Sequence, residues 1–314
     1  PLYPQDDQYI STPAIGFSIN EDLFEGSVLY RFVGGKPDSN SPYIFNMKDA
    51  MLKKGDHQDV FLLNGPTLVE QGIYTVEFSG RDRAGNMIAN KTIQRIIFDS
   101  TPPRLSITMP KENSAVNHTK VSFNNSEKLK TAFMVWSQSG GTTVTESPKI
   151  IVLEGQELND GLTTNIVLKN QPNLVDGSTY DLQFYATDFA GNYSDTVYVN
   201  NILYDITPPV IEIVSPNSQI ISALTDIEYS LSENIATGSI AWNGKDISGA
   251  PLHKLFEIAE KAAKKGIHHS DTYIQPILTD GGLYNISIKA TDPAGNQATP
   301  VTITEFRVDR TPPE

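Results

Sequence analysis

Hydrophobic and polar residues alternate along much of this chain. In TYDLQFYA, residues 179–186, Tyr180, Leu182, Phe184 and Ala186 share one parity, while Thr179, Asp181 and Gln183 hold the other. A strand with one buried face requires this period of two, because successive side chains point to opposite sides of a sheet. The runs VSFNN (121–125), TAFMVW (131–136), TNIVLK (164–169) and DTVYVNNILY (195–204) are likewise rich in β-branched and aromatic residues, and clusters of Gly, Pro, Asn and Asp separate them. The pattern predicts an all-β chain.

A second pattern lies over the first. DRAGN, DFAGN and DPAGN begin at Asp82, Asp188 and Asp292, and DSTPP, DITPP and DRTPP begin at Asp99, Asp205 and Asp309. Thr101, Thr207 and Thr311 stand 106 and 104 residues apart. A unit of roughly 100 residues with about seven short strands has the size of an immunoglobulin-like β-sandwich, and exceeds a solenoid or propeller repeat. Three tandem immunoglobulin-like domains are expected, at 1–103, 104–209 and 210–314, the last ending in a C-terminal linker. Aromatic landmarks agree. Trp136, Trp242 and Tyr30 fall where the third strand of such a sandwich brings a large ring into the core, and Tyr74, Tyr180 and Tyr284 fall where a tyrosine corner would sit. Two residues after each of these tyrosines, where antibody domains carry a cysteine, stand Val76, Leu182 and Ile286, so packing replaces the disulfide.

One stretch departs from the period of two. PLHKLFEIAEKAAKKG, residues 251–266, opens with Pro, spaces Leu252, Leu255, Phe256, Ala259, Ala262 and Ala263 at helical intervals, and ends in lysines and Gly. It predicts a helical insertion in the third repeat over about residues 251–265, packed on its own sandwich with Leu255 and Phe256 buried. KDAMLKKGDH in the first repeat is a shorter echo.

Composition narrows the setting. A chain of 314 residues that is 39% hydrophobic can bury a modest core in each repeat. It contains no cysteine, which removes disulfides, thiol nucleophiles and thiolate metal sites. Its net charge of −13 is repelled by nucleic acid and by anionic membranes, and suits divalent cations better. No run of about 18 apolar residues is present to insert in a membrane. The start PLYPQDD has no basic, apolar leader, and the expectation is a soluble, monomeric segment of something longer.

The combination of a strand ending in Glu, the DGSTY and DGGLY strand starts, D-x-A-G-N and D-x-T-P-P resembles the bacterial Ig-like domains strung along giant surface adhesins and other long secreted bacterial proteins. The resemblance covers essentially the whole chain. It implies a non-enzymatic, extracellular or cell-surface spacer or adhesive segment, often calcium-dependent. Its partners would be neighbouring Ig-like domains of the same longer chain and a host or surface glycan or protein receptor. The alternative is an accessory or glycan-binding module of a secreted polysaccharide-degrading enzyme. Such a module should show an exposed aromatic platform in at least one repeat, and Trp136 and Trp242 align with each other at a core position, which counts against them in that role.

Catalytic motifs are missing from the sequence: it has no G-x-S-x-G, H-E-x-x-H or Walker loop. The paired histidines of GIHHSD, His268 and His269, would point to opposite faces of a strand, and KKG at 53–55 aligns with KKG at 264–266, which makes His57 and His268 copies of one structural position.

The acidic residues carry the remaining chemistry. Continuing the inward parity Val121, Phe123 by two steps twice reaches Glu127, and continuing Tyr180, Leu182, Phe184, Ala186 reaches Asp188. The same series end at Glu21 and Asp82 in the first repeat and at Glu233 and Asp292 in the third. In immunoglobulin topology both loops lie where the chain enters the domain, facing the preceding linker. Asp99 precedes Glu127 by 28 residues and Asp205 precedes Glu233 by the same interval. Three converging carboxylates repel unless a cation neutralises them, and a hard ion such as Ca2+ takes about 6 to 8 oxygen ligands. Two interdomain calcium sites are therefore expected, Asp99, Glu127 and Asp188 with Asn192, and Asp205, Glu233 and Asp292 with Asn296. Glu21 and Asp82 are expected to form a half site, and Asp309 to stand alone. Gly85, Gly191 and Gly295 would serve the turn in any case.

Overall fold

Alternation becomes strand wherever the apolar parity finds a facing sheet to bury against. The computed structural model describes residues 2–61, 65–143, 145–215, 220–222, 227–269 and 278–312; Ser270 and Asp271 of GIHHSD, and Pro313 and Glu314 at the end of the last TPP phrase, lie outside the described residues.

In the second repeat a five-stranded sheet runs in the order Lys149–Val152, Thr131–Gly141, Ser178–Thr187, Val197–Tyr204, Ala115–Val116, and a three-stranded sheet runs Gly161–Ile166, Val121–Asn125, Leu105–Met109. Neighbours are antiparallel except that Ala115–Val116 lies parallel to Val197–Tyr204. The first and third repeats have the same five-stranded order, with Tyr9–Ile10 and Ile220–Ser222 as the parallel edge strands. Each pair of sheets encloses one core. Val121 and Phe123 from one sheet meet Trp136, Tyr180, Leu182, Phe184 and Ile202 from the other, and Phe123 and Phe184 touch edge to face at 5.4 Å. Ile15 and Phe17 meet Tyr30, Val76 and Phe78 in the first repeat; Tyr229 and Leu231 meet Trp242, Ile286 and Phe306 in the third. Tyr30, Trp136 and Trp242 are all buried.

The tyrosine corners form three times. The backbone N–H groups of Val69, Val175 and Thr279 donate to the hydroxyls of Tyr74, Tyr180 and Tyr284 at 2.9, 2.9 and 3.0 Å. Each bond ties the loop before the strand to the strand itself, and so fixes where that strand starts.

The expected helix at 251–265 is a strand followed by a turn. Pro251–Glu257 pairs antiparallel with Thr237–Lys245, and Glu260–Ala262 forms a single 3-10 turn. Leu252, Phe256 and Ile258 pack on the core at even spacing, while Leu255 is 56% exposed. Residues 252 and 256 are four apart, an interval that places two side chains on one face of either element. Pairing to a neighbouring strand, which no helix at this place would offer, decides between them. The segment is the third copy of one crossover: Leu23, Leu129 and Ile235 donate to the carbonyls of Leu52, Leu158 and Ala263 at 2.8, 2.8 and 2.9 Å. The echo in KDAMLKKGDH is the same 3-10 turn, Asp49–Leu52. His57 and His268 each bond the carbonyl of the residue four before, Lys53 and Lys264. Phe256→Ala should cost on the order of 2 kcal/mol in denaturant unfolding, while Leu255→Ala should change stability by less than about 0.5 kcal/mol. Equal, large losses at both positions would restore the helix.

Candidate metal centres at the repeat junctions

Each carboxylate is delivered by a separate piece of backbone. Asp99 follows the strand Lys91–Phe98 and is held by its own N–H, which donates to the Ile10 carbonyl at 2.9 Å. Asp188 opens the turn after Ser178–Thr187, and Gly191 completes that turn at φ 87°, a conformation that favours glycine. Glu127 follows Ser126, whose N–H donates to the Arg104 carbonyl at 2.9 Å while its Oγ accepts from the Arg104 N–H at 2.9 Å. This reciprocal pair clips the linker to the loop. Ser232 and Val210 repeat it at 3.0 and 2.8 Å beside Glu233.

The structure brings the expected triads together. One oxygen from each of Asp99, Glu127 and Asp188 lies within 4.8 Å of the others, and the same is true of Asp205, Glu233 and Asp292. Asp99, Asp188 and Asp292 are buried; Glu127, Asp205 and Glu233 are half-buried. Two oxygens on opposite sides of one ion with bonds of about 2.4 Å are about 4.8 Å apart, so the spacing within either triad falls in the range that the ligands of one calcium ion would span. The donors are all hard oxygens, with neither thiolate nor imidazole among them, as suits calcium rather than zinc.

Electrostatics mark the same places. Burial, a hydrogen bond with Glu70 and the nearby charges of Asp188 and Glu70 push Asp99 up to about 6. Burial and the charges of Asp99, Asp188 and Glu70 push Glu127 up to about 7. Asp205 and Glu233 are raised for the same reasons, first burial and then neighbouring carboxylates, with Lys265 partly offsetting the effect at Glu233.

Asn192 and Asn296 act here as clamps beside the triads. Asn192 Nδ2 donates to Asp188 Oδ2 at 2.7 Å and to the Asp99 carbonyl at 2.8 Å, which joins the turn of one repeat to the linker of the one before. Asn296 makes the same two bonds, to Asp292 Oδ2 and the Asp205 carbonyl, both at 2.8 Å, and its Oδ1 accepts from Asn117 Nδ2 at 3.1 Å. In the first repeat Asn86 bonds Asp82 through its N–H and its Nδ2 at 2.9 and 2.7 Å, while Glu21 is exposed; among the described residues these two join no group of three. Asp309 accepts from the Thr311 N–H at 3.1 Å, as Asp205 does from Thr207 at 3.0 Å.

Three acids escaped the sequence reading. Glu70, Asp176 and Asp280 each stand four residues before a corner tyrosine and brace the linker: Glu70 Oε2 accepts from Ser100 N–H and Oγ, Asp176 from Ile206 N–H and Thr207 Oγ1, Asp280 from Arg310 N–H and Thr311 Oγ1. Their signal was the acid at the head of EQGIY, DGSTY and DGGLY, which reads equally well as a turn residue. The junctions differ in their cladding. At the first, Tyr9 and Phe189 meet at 5.9 Å and line, with Asp99 and Glu127, a cleft of about 480 Å3.

No curated protein matches the chain. Solved structures similar to it include the FN1–FN3 domains of chicken CNTN1, at 11% identity over 99% of this chain and 97% of that one, with a TM-score of 0.32. A tetra-tandem repeat in the extending region of a large adhesion protein matches at 16% identity over 91% of this chain and 68% of that one, with a TM-score of 0.27. The fibronectin(III)-like modules of Clostridium thermocellum CbhA match at 14% identity over 65% of this chain and 94% of that one, with a TM-score of 0.32. Residues 164–310, from within the second repeat to the end of the third, match the bacterial Ig-like domain (group 3) family.

Proposed function

We propose that this chain is a non-enzymatic, extracellular spacer or adhesive segment of a bacterial surface or secreted adhesin. It comprises three domains at 1–103, 104–209 and 210–314 whose two junctions are stiffened by calcium. The observation that carries this reading is the repeated convergence of Asp99, Glu127, Asp188 and of Asp205, Glu233, Asp292, each drawing one carboxylate from a linker and two from the head of the next repeat. An ion held this way ties the linker to the following head and removes hinge motion between them. The family match over residues 164–310 and the tandem D-x-T-P-P linkers support the spacer role; no helix of the described residues is long and apolar enough to cross a membrane.

Calorimetric titration of the metal-free chain should show two calcium ions bound, and Asp99→Ala should remove one of them. Small-angle scattering should give a longer, less variable particle with calcium than with chelator. Absence of binding heat together with an unchanged scattering profile would leave the carboxylates as turn caps and the prolines as the only stiffening element.

A further inference from the structure

The second repeat carries an aromatic surface that its two neighbours lack. On the solvent side of its five-stranded sheet, register places Val152, Phe133 and Tyr185 in one row across three strands. A second row runs Ile150, Val135, Gln183 and Tyr198 across four. Phe133 and Tyr185 stack at 5.4 Å with 26° between their planes. Ile150 and Tyr198 are each 60% exposed and Val152 is 44% exposed, Phe133, Tyr185 and Gln183 are half-buried, and Val135 between them is covered. The matching rows of the first repeat are Asn46, Ser27, Ser79 and Ile44, Leu29, Glu77, Thr92. Those of the third are Glu257, Ser239, Lys289 and Leu255, Ala241, Ser287, Thr302. At the ring positions the other repeats hold Ser27, Ser79 and Thr92, or Ser239, Lys289 and Thr302. One sandwich architecture is thus built with polar residues twice and with aromatic residues once, so the fold does not require the aromatics.

We propose that this face of the second repeat binds an extended, neutral glycan chain. Size excludes a stable protein partner: four strands about 4.8 Å apart span about 15 Å, giving a few hundred Å2 at most, against about 800 Å2 per side for a stable protein interface. Charge argues against a second copy, since each chain carries −13 and neither row holds a cation to offset it. It argues against an ionic ligand for the same reason. Sugar rings offer an apolar C–H face to aromatic side chains and hydroxyls to polar ones. Here the Tyr185 and Tyr198 hydroxyls and the Gln183 amide have no hydrogen-bond partner among the described residues and remain available. The buried Trp136 and Trp242, on the opposite side of their sheets, take no part.

This binding goes beyond the spacer role and needs no ion, so it stands in chelator whichever way the calcium titration falls. The whole chain should be retarded in native gels containing at least one of mixed-linkage β-glucan, glucomannan or xylan, and not by a polyuronate. The triple variant Phe133→Ser, Tyr185→Ser, Tyr198→Thr installs the first repeat's residues and should weaken that retention roughly tenfold or more, with the circular dichroism of the parent chain. Should the triple variant fail to fold, Tyr198→Thr alone, at an exposed position, should still reduce retention severalfold. Three results would overturn the proposal: no retention on any neutral glycan, retention unchanged by folded variants, or a dimer in sedimentation that the triple variant abolishes, which would make the face an interface between copies.

Discussion

At neutral pH, saturating calcium should raise the melting temperature of the chain by roughly 10 °C or more over its value in chelator. A ligand at about 100 times its dissociation constant adds about 2.7 kcal/mol to the folded state, and each kcal/mol moves a domain of this size by roughly 4 °C or more. The gain is large because the metal-free junction is not neutral ground. Burial and mutual repulsion already press on Asp99 and Glu127, and an ion removes both penalties together. Glu127→Gln separates this account from simple packing. In chelator it should melt above the parent chain, because it deletes one of three repelling charges while keeping the side chain's shape. In calcium it should gain only the increment of the second junction. A variant that melted below the parent in chelator would show that Glu127 serves the fold through contacts rather than as a ligand.

The convergence of these acids was legible because it depends on a strict period. Counting by two from Val121 or Tyr180 stays on the inner face to the strand ends at Asn125 and Thr187, and Glu127 and Asp188 follow within two residues, so both could be placed from sequence. The helix expectation failed where two periods agree, at Leu252 and Phe256; Leu255, which only a helix would bury, is exposed. Asn192 and Asn296 could be placed near the carboxylates, but their bonds to the linker carbonyls of Asp99 and Asp205 depend on the path of the preceding repeat. The outer face of the second repeat left a trace in TAFMVW, an almost unbroken apolar run. A strand polar on one side would have alternated there, and continuity marks two apolar faces.

Acid should stabilise the metal-free chain and remove the increment that calcium adds. In chelator, Asp99 and Glu127 hold their protons to about 6 and about 7 when folded, and release them near 3.8 and 4.5 in the unfolded chain. A group whose folded value is raised contributes stability that is complete below its unfolded value and lost as pH rises through its folded one. From about pH 4 upward these two groups should cost the metal-free chain stability, most steeply between about 4.5 and 6, where both are protonated when folded and ionised when unfolded, with the loss complete by about pH 8. Asp205 and Glu233 are raised as well and add to the slope with the same sign. Glu70 opposes burial with the bonds donated by Ser100 and stays below its usual range, so it is ionised across this window and does not alter the slope. Calcium needs the same carboxylates unprotonated, so its affinity should climb as the protons leave. The melting curves in calcium and in chelator should lie close together near about pH 5 and diverge steadily above about pH 6. Parallel curves across that range would mean that the protons and the ion do not compete, and that any bound calcium sits away from Asp99 and Glu127.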